Sequence, residues 1–359
     1  MGMNPFWAGK RVLVTGHTGF KGSWLTLWLE QLGATVYGFA LNPDTSPSLF
    51  DQMAPNLRID HLVGDIRDQT VVNERITAVQ PDVMFHLAAQ PLVRQSYAEP
   101  LLTWQTNVMG TVYALEALRH VDNRCAIVIA TTDKVYENRE WPYAYRETDP
   151  LGGNDPYSSS KSAAELAAAA WRSSFFSKTA SLRIATARAG NVIGGGDWAA
   201  DRLVPDLVRA LTEGVPALVR NPTSVRPWQH VLEPLSGYLR LAQALYENDN
   251  PMLQGPFNFG PRSDALRTVA ELADECLRHF SGEWQTASEE GEPHEASQLA
   301  LTTEKAQLIL DWQPTWSFAE SVRHTMSWYQ AREAGVDATK LCLDQISEYN
   351  QTSCGDSTA

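Results

Sequence analysis

RVLVTGHTGFKG, residues 11–22, is the stretch that decides the fold. The run RVLVT is short, rich in β-branched residues and stopped by a glycine turn, which predicts a buried parallel strand. Gly16, Gly19 and Gly22 then form GxxGxxG. The first glycine allows a tight turn, the second lets backbone approach a pyrophosphate, and the third permits close helix–strand packing. The N-terminus of the following helix favours phosphate charge. WLTLWLEQLG, residues 24–33, has apolar residues at helical spacing and Gly33 where a left-handed cap belongs. GxxGxxG alone is a weak signal, and glycines kept only for packing are its alternative. A strand before it and a helix after it make it the start of a dinucleotide-binding unit.

Working outward, strands are expected at 34–41, 62–65, 81–87, 125–132 and 181–188, with helices at 68–79, 103–119 and from Tyr157 to about Phe176. That alternation predicts an α/β fold, a doubly wound parallel sheet of the Rossmann type. Beyond Asn191 the rhythm changes to short proline-punctuated pieces, with helices expected near 202–213, 233–247, 268–280 and 317–333. The expected organisation is a dinucleotide-binding domain over 1–190 and a smaller α/β substrate domain over 191–350. Some segments of the second return to the first, and the tail 351–359 is frayed. Without repeats or low-complexity linkers, the two parts should be packed together.

The chain has 359 residues, 43% hydrophobic and 20% charged, with a net charge of −13. No run of Lys and Arg stands out, which argues against nucleic acid or an anionic membrane as partner. Cys125, Cys276, Cys342 and Cys354 show neither CxxC nor framework spacing, as expected of thiols in a reducing compartment. No stretch approaches a membrane span, and strand one follows the N-terminus too closely for a signal peptide. A cytoplasmic location is expected. No metal-ligand spacing appears.

Tyr157 and Lys161 in DPYSSSK stand at i and i+4, on one face of a helix. A tyrosine near pKa 10 is a poor base at neutral pH, and lowering it by about three units needs roughly 4 kcal/mol of phenolate stabilisation. An ammonium beside it and a positive nicotinamide ring supply such stabilisation, and the lysine can also hold the nicotinamide ribose. YxxxK alone is a common accident, but after GxxGxxG and at this place in the strand order it reads as catalytic. Thr131, Thr132, Asp133 and Lys134 close strand five, and ligands of open α/β sheets bind beyond the carboxyl ends of the strands. Strand two ends in Phe39-Ala40-Leu41-Asn42, with no acid for ribose hydroxyls. NAD and NADP therefore both stay open, with Lys21 able to assist a 2′-phosphate and Asp65 able to contact adenine. Arg226 in VRPWQHV suits a diphosphate clamp, with Asn191 and Arg202 beside it as candidates. His86, inside the apolar run VMFHLAA, reads as a satisfied core histidine. His294 is a weaker candidate for the sugar pocket.

These motifs together resemble the extended short-chain dehydrogenase/reductases that act on nucleotide sugars. The stretches GHTGFKGSWL, GDIRDQ, HLAAQPLVRQSY, TNVMGTVY, DKVYENREW, GGNDPYSSSK, RAGNVIGGGDWA, SVRPWQHVLEPLSGYL, FNFGP and PHEA are similar to those of the 4,6-dehydratases taking CDP-glucose, over nearly the whole chain. The resemblance implies oxidation at C4, loss of water across C5 and C6, and hydride return to C6, with NAD regenerated each turnover. It implies Tyr157 as base at the 4-hydroxyl, Thr132 bonded to the C4 oxygen, and Asp133 as acid at C6. Lys134 stands where dTDP-glucose relatives have the glutamate base. It also implies a cofactor site from Gly16, His17, Gly19, Phe20, Lys21, Gly22, Asp65, Ile66, Leu87, Ala88, Ala89, Tyr157 and Lys161. Gln90, Arg94, Asn191, Arg202, Arg226 and His294 would face the substrate. A homodimer through a four-helix bundle is implied, as is a place in deoxysugar biosynthesis of the kind that feeds lipopolysaccharide O-antigen. Rival readings are a 4-epimerase, which has no use for Asp133 as an acid, and a non-catalytic NAD(P)-sensing regulator.

Overall fold

The computed structural model describes residues 5–141, 143–178, 181–262, 265–287 and 298–355. Seven strands form one parallel sheet: β1 (Arg11–Thr15), β2 (Thr35–Ala40), β3 (Asp60–Val63), β4 (Val83–His86), β5 (Cys125–Ala130), β6 (Leu182–Ala189) and β7 (Gly255–Phe259). Their spatial order is β7-β6-β5-β4-β1-β2-β3. β1 pairs with β2 on one side and β4 on the other, so the strand order reverses there and opens a crevice beyond the strand ends.

The side chains of the sheet alternate between two cores. Val12, Val14, Phe85 and Val128 pack with Trp24, Leu25 and Trp28 of the helix Phe20–Gln31 and with Leu235, Leu241 and Leu245 of the helix Leu232–Glu247. Leu13, Met84, Ile127 and Ile184 point to the opposite face, against Val72 and Ile76 of the helix Gln69–Val79 and Leu115 and Leu118 of the helix Gly110–Leu118. Both faces of the central strands are covered in this way, whereas β3 at one edge of the sheet (Asp60–Val63) is exposed along its length.

Three expectations need revision. The helix expected over 103–119 is broken into Pro100–Trp104, a wider π turn at Gln105–Met109, and Gly110–Leu118. The proline-punctuated piece PFNFGP, expected as irregular, falls largely within the edge strand β7, which pairs along all of Gly255–Phe259 with β6. The described part of the tail expected to fray, 351–355, continues the helix Ala338–Gly355. That helix is anchored by buried Cys342, Ile346 and Tyr349, and the Tyr349 hydroxyl donates to Glu233 Oε2 at 2.7 Å.

The second half adds the helix Leu203–Thr212 and short strand pairs: Ala217–Val219 with Trp284–Thr286, Val225–Pro227 with Leu266–Thr268, and Val192–Ile193 with Gln229–His230. These walls face the strand ends across the crevice. No helix among the described residues is long and apolar enough to cross a membrane.

Candidate active site

A cleft of about 850 Å³ lies at the carboxyl ends of the strands, and it gathers most of the predicted residues. Gly16, Gly19, Phe20, Lys21 and Gly22 line it from the first turn, Asp65 and Ile66 from the end of β3, and Leu87, Ala88, Ala89, Gln90 and Arg94 from beyond β4. Thr132, Asp133 and Lys134 arrive from β5, Tyr157 and Lys161 from the helix Pro156–Ser174, and Asn191, Arg202 and Arg226 from the second half. His294 lies outside the described residues.

The first turn fits a dinucleotide. Gly16 has φ 74°, and a Cβ on Gly22 would lie 2.1 Å from the Gly16 carbonyl oxygen. No side chain caps the helix Phe20–Gln31 and its first turn holds no acid, which leaves its N-terminus to an anion. Gly22→Ala should therefore destabilise the fold by about 2–3 kcal/mol and remove the thermal stabilisation that added NAD gives. Thermal unfolding with and without NAD checks both; an unchanged melting temperature would contradict the packing assigned to Gly22.

His17 is the exception in this turn. Its ring is buried beneath the cleft, with Nε2 2.6 Å from His61 Nδ1 and its edge on Phe50. Burial and the neighbouring His61 hold its pKa down to about 3. His17 thus braces the turn against β3. Lys21 also departs from expectation: its charged neighbours are Arg202, Lys161, Asp133 and Lys134, rather than groups at the end of β2. At that end Leu41, Asn42 and Asp44 line the cleft, and Asp65 is engaged by Arg67 through two nitrogens.

The helix Pro156–Ser174 is started by two local devices. The Asp155 carboxylate accepts from Ser158 N at 2.8 Å, and Pro156 supplies a preset φ at the first helical position. Tyr157, Lys161 and Glu165 then follow at intervals of four, on one buried face. Contrary to the lowered phenol expected from the sequence, burial pushes Tyr157 up to about 12, opposed by a hydrogen bond with Thr132 and the charge of Arg202. Burial lowers Lys161 to about 8, opposed by Glu165, and its Nζ donates to the Ala130 carbonyl at 3.2 Å.

Asp133 is the focus of the opposite wall. Its side chain is 1% exposed, and Oδ2 has no partner among the described residues. Oδ1 accepts from Thr132 Oγ1 at 3.0 Å and lies 3.3 Å from Lys134 Nζ. Lys134 is thus ion-paired with its neighbour.

Glu165 escaped the sequence reading, although YxxxKxxxE carries the spacing. Its Oε1 accepts from Thr131 Oγ1 at 2.6 Å and Arg188 Nε at 2.9 Å, and Oε2 from Thr186 Oγ1 at 2.7 Å and Arg188 Nη2 at 3.0 Å. Burial alone would raise its pKa, but the Arg188 charge and these bonds hold it below the usual value. Asn107, in the π turn, donates to Ser160 Oγ at 2.9 Å and to the Gln90 carbonyl at 3.1 Å, tying the helix Pro156–Ser174 to the loop after β4. Gln90 turns its amide inward, to Leu92 O at 3.1 Å and Thr103 Oγ1 at 2.8 Å. Arg202 pairs with Asp197 at 2.8 Å, and Asn191 Oδ1 is buried with no partner among the described residues. His86 is satisfied by Thr15 at 2.8 Å and Thr111 at 3.1 Å, a core residue as expected.

A Rossmann cradle, a Tyr–Lys pair and a Thr–Asp end of β5 on one cleft define an extended short-chain dehydrogenase/reductase. The comparisons with known proteins narrow this. A family model described as GDP-mannose 4,6 dehydratase matches residues 13–325, and the chain belongs to that family. It is 47% identical over 350 residues to the CDP-glucose 4,6-dehydratase of Salmonella typhimurium (strain LT2), covering 96% of this chain and 97% of that protein. dTDP-glucose 4,6-dehydratase 1 of Escherichia coli (strain K12) is 25% identical, over 92% and 95% of the two chains. Among solved structures, a DesIV double mutant (dTDP-glucose 4,6-dehydratase) from Streptomyces venezuelae with NAD and DAU bound superposes with a TM-score of 0.76 at 22% identity, covering 91% of this chain and 99% of that one. The UDP-glucose 4-epimerase of Thermotoga maritima gives 0.75 at 21% identity, over 89% and 99%. At those identities the likeness is one of fold.

Proposed function

We infer that the chain converts CDP-glucose to CDP-4-keto-6-deoxyglucose, using NAD. The observation that carries this reading is Asp133: a buried carboxylate with an unpartnered oxygen, facing the cleft that Tyr157 and Lys161 share. An epimerase has no step that needs it. The similarity to the Salmonella enzyme over nearly the whole chain supports the choice of CDP-glucose.

NAD, when bound in the cradle of Gly16, Gly19 and Gly22, supplies the acceptor for hydride from C4 and its donor back to C6. The rest belongs to side chains. Tyr157 takes the proton of the 4-hydroxyl; the Lys161 ammonium favours its phenolate, and Thr132 hydrogen-bonds the oxygen that becomes the ketone. The ketone acidifies C5. Asp133 protonates the leaving 6-hydroxyl, and Lys134 is the neighbouring base. The two side chains lie 3.3 Å apart, which sets the acid and the base on adjacent residues of one cleft wall. That pair is what loss of water across C5 and C6 requires. Asn191, Arg202 and Arg226 supply the diphosphate contacts, with Arg94 beside them.

The same reading includes a homodimer. The helix Pro156–Ser174 buries Ala164 and Ala168 inward and leaves Leu166 60% exposed outward, next to the segment where Leu101 is 79% and Trp104 42% exposed. Small alanines beside Leu166 let a second copy approach closely. Leu166→Glu should yield a monomer by light scattering with its fold intact; an unchanged mass would remove this face from the interface.

The activity is tested by offering the CDP-, UDP-, dTDP- and GDP-glucose nucleotides separately and following mass. Loss of one water from CDP-glucose is expected. Isomerisation without mass change would replace this reading with epimerisation.

A further inference from the structure

Asp133 rests against a residue that has no side chain. β5 leaves the ladder at Thr131, whose N–H donates to the Ala187 carbonyl at 2.9 Å, so Asp133 reaches the end of β6. Gly190 follows there and lines the cleft. The strand Val225–Pro227 closes in from the second half, and beyond it Gln229 N–H donates to the Asn191 carbonyl at 3.1 Å. A Cβ on Gly190 would lie 2.8 Å from Asp133 Oδ2, 2.8 Å from Pro227 Cγ and 3.4 Å from Asp133 Cγ. The φ of Gly190 is outside the left-handed region, so close approach alone requires the glycine. The oxygen it meets is the one without a partner among the described residues; Oδ1 is tied to Thr132 and Lys134.

We propose that Gly190 is a positioning residue for the acid: its bare Cα seats Asp133 Oδ2, and a side chain there turns the carboxyl away from the leaving 6-hydroxyl. The proposal rests on the reading that Asp133 is the acid of a dehydration. Which group gives way decides the effect. Packed carbons stand about 3.5–4.0 Å apart, so a methyl group on Gly190 must displace a neighbour. Pro227 is paired with Leu266, and its ring is stiff. Gly190 itself is held between β6 and the bonded Asn191. The Asp133 carboxyl turns about a broad torsion, so it yields first. That rotation spoils its contacts with Thr132 and Lys134 while costing the fold little. The three atoms nearest the added carbon belong to Asp133 and Pro227, not to Tyr157 or Lys161. Oxidation at C4 is therefore spared. A glycine kept only to let two backbones pack predicts the reverse, with stability lost and both steps slowed together.

The test is a single turnover of CDP-glucose by full-length Gly190→Ala, with the reduced dinucleotide followed by absorbance and loss of water by mass. Dehydration should fall about 10–100-fold, as expected of a misplaced catalytic group, while C4 oxidation and KM stay near the wild-type values. The reduced dinucleotide should accumulate. Adding Pro227→Ala removes the ring carbon behind the new methyl group, lets it move off Oδ2, and should recover part of the dehydration rate. An equal slowing of both steps, or dehydration at the wild-type rate, overturns the role of Gly190. So does a single variant that fails to fold, because the carboxyl and not the fold is then too rigid to be the part that yields. In each case the wild type still forms the dehydrated product and the dehydratase reading stands. An isomerised product from the wild type overturns both.

Discussion

Asp133→Asn is expected to lower formation of the dehydrated product by about 10²–10⁴-fold while oxidation at C4 continues. The amide keeps the shape and can still accept from Thr132, but it has no proton to deliver to the leaving hydroxyl. It also dissolves the ion pair with Lys134, leaving an ammonium where a base is needed. Turnover should stall after the first half-reaction, with the bound dinucleotide left in its reduced form and visible by absorbance. The site tolerates the change in volume, so thermal stability should move little. A variant that dehydrates CDP-glucose at the wild-type rate would strip Asp133 of its role. One that fails to oxidise C4 would place Asp133 in the first step instead.

Glu165→Gln should be the most damaging change outside the groups that touch substrate. It leaves the Arg188 guanidinium, itself buried, beside an uncharged amide that can satisfy fewer donors. Breaking a buried pair on one side costs about 3–5 kcal/mol, far more than the net worth of the intact pair. Arg188 also donates to the Tyr136 hydroxyl at 2.9 Å and the Glu147 carbonyl at 3.2 Å, so the disturbance extends to the loop behind Lys134. A second effect is electrostatic. Glu165 is the group that raises the Lys161 pKa against burial, so its removal lowers that pKa further below about 8. Lys161 is needed as the ammonium, which exists below its pKa. The alkaline limb of the pH–rate profile should therefore move to lower pH in the variant. Chemical denaturation checks the first effect and a pH–rate profile the second. An unmoved alkaline limb would show that Glu165 is structural only, and an apolar double replacement of Glu165 and Arg188 should recover much of the stability without restoring the limb.

Five strands of the sheet were legible because each is a β-branched or apolar run that a glycine or polar loop cuts short, whereas β3, expected at 62–65, lies at Asp60–Val63 and starts with Asp60 and His61. The seventh was not. Gly255–Phe259 carries Pro256 and lies between Pro251 and Pro261, and its strand character comes from pairing with β6 at the sheet edge, where a proline is tolerated. The final helix was missed for a related reason: its apolar residues are sparse, and Tyr349 bonding to buried Glu233 supplies an anchor that no local pattern reveals. At the site, Tyr157, Lys161 and the Thr132–Lys134 segment were legible from spacing and strand order. The partners that tune them were not, because Glu165 meets Arg188 and Asn107 meets Ser160 only through the fold. His17 and Lys21 show the converse limit. Positions of one motif identify the turn, but the side chains diverge, His17 meeting His61 of β3 and Lys21 lying near Arg202, Lys161 and Asp133.

The central claim is that one cleft oxidises C4 and returns the same hydrogen to C6 after water leaves. CDP-glucose carrying deuterium at C4, incubated with the protein and examined by mass spectrometry and NMR, tests it directly. The account predicts a product lighter by one water with the deuterium retained and moved to the C6 methyl group. Deuterium still at C4 of an isomerised sugar would contradict it.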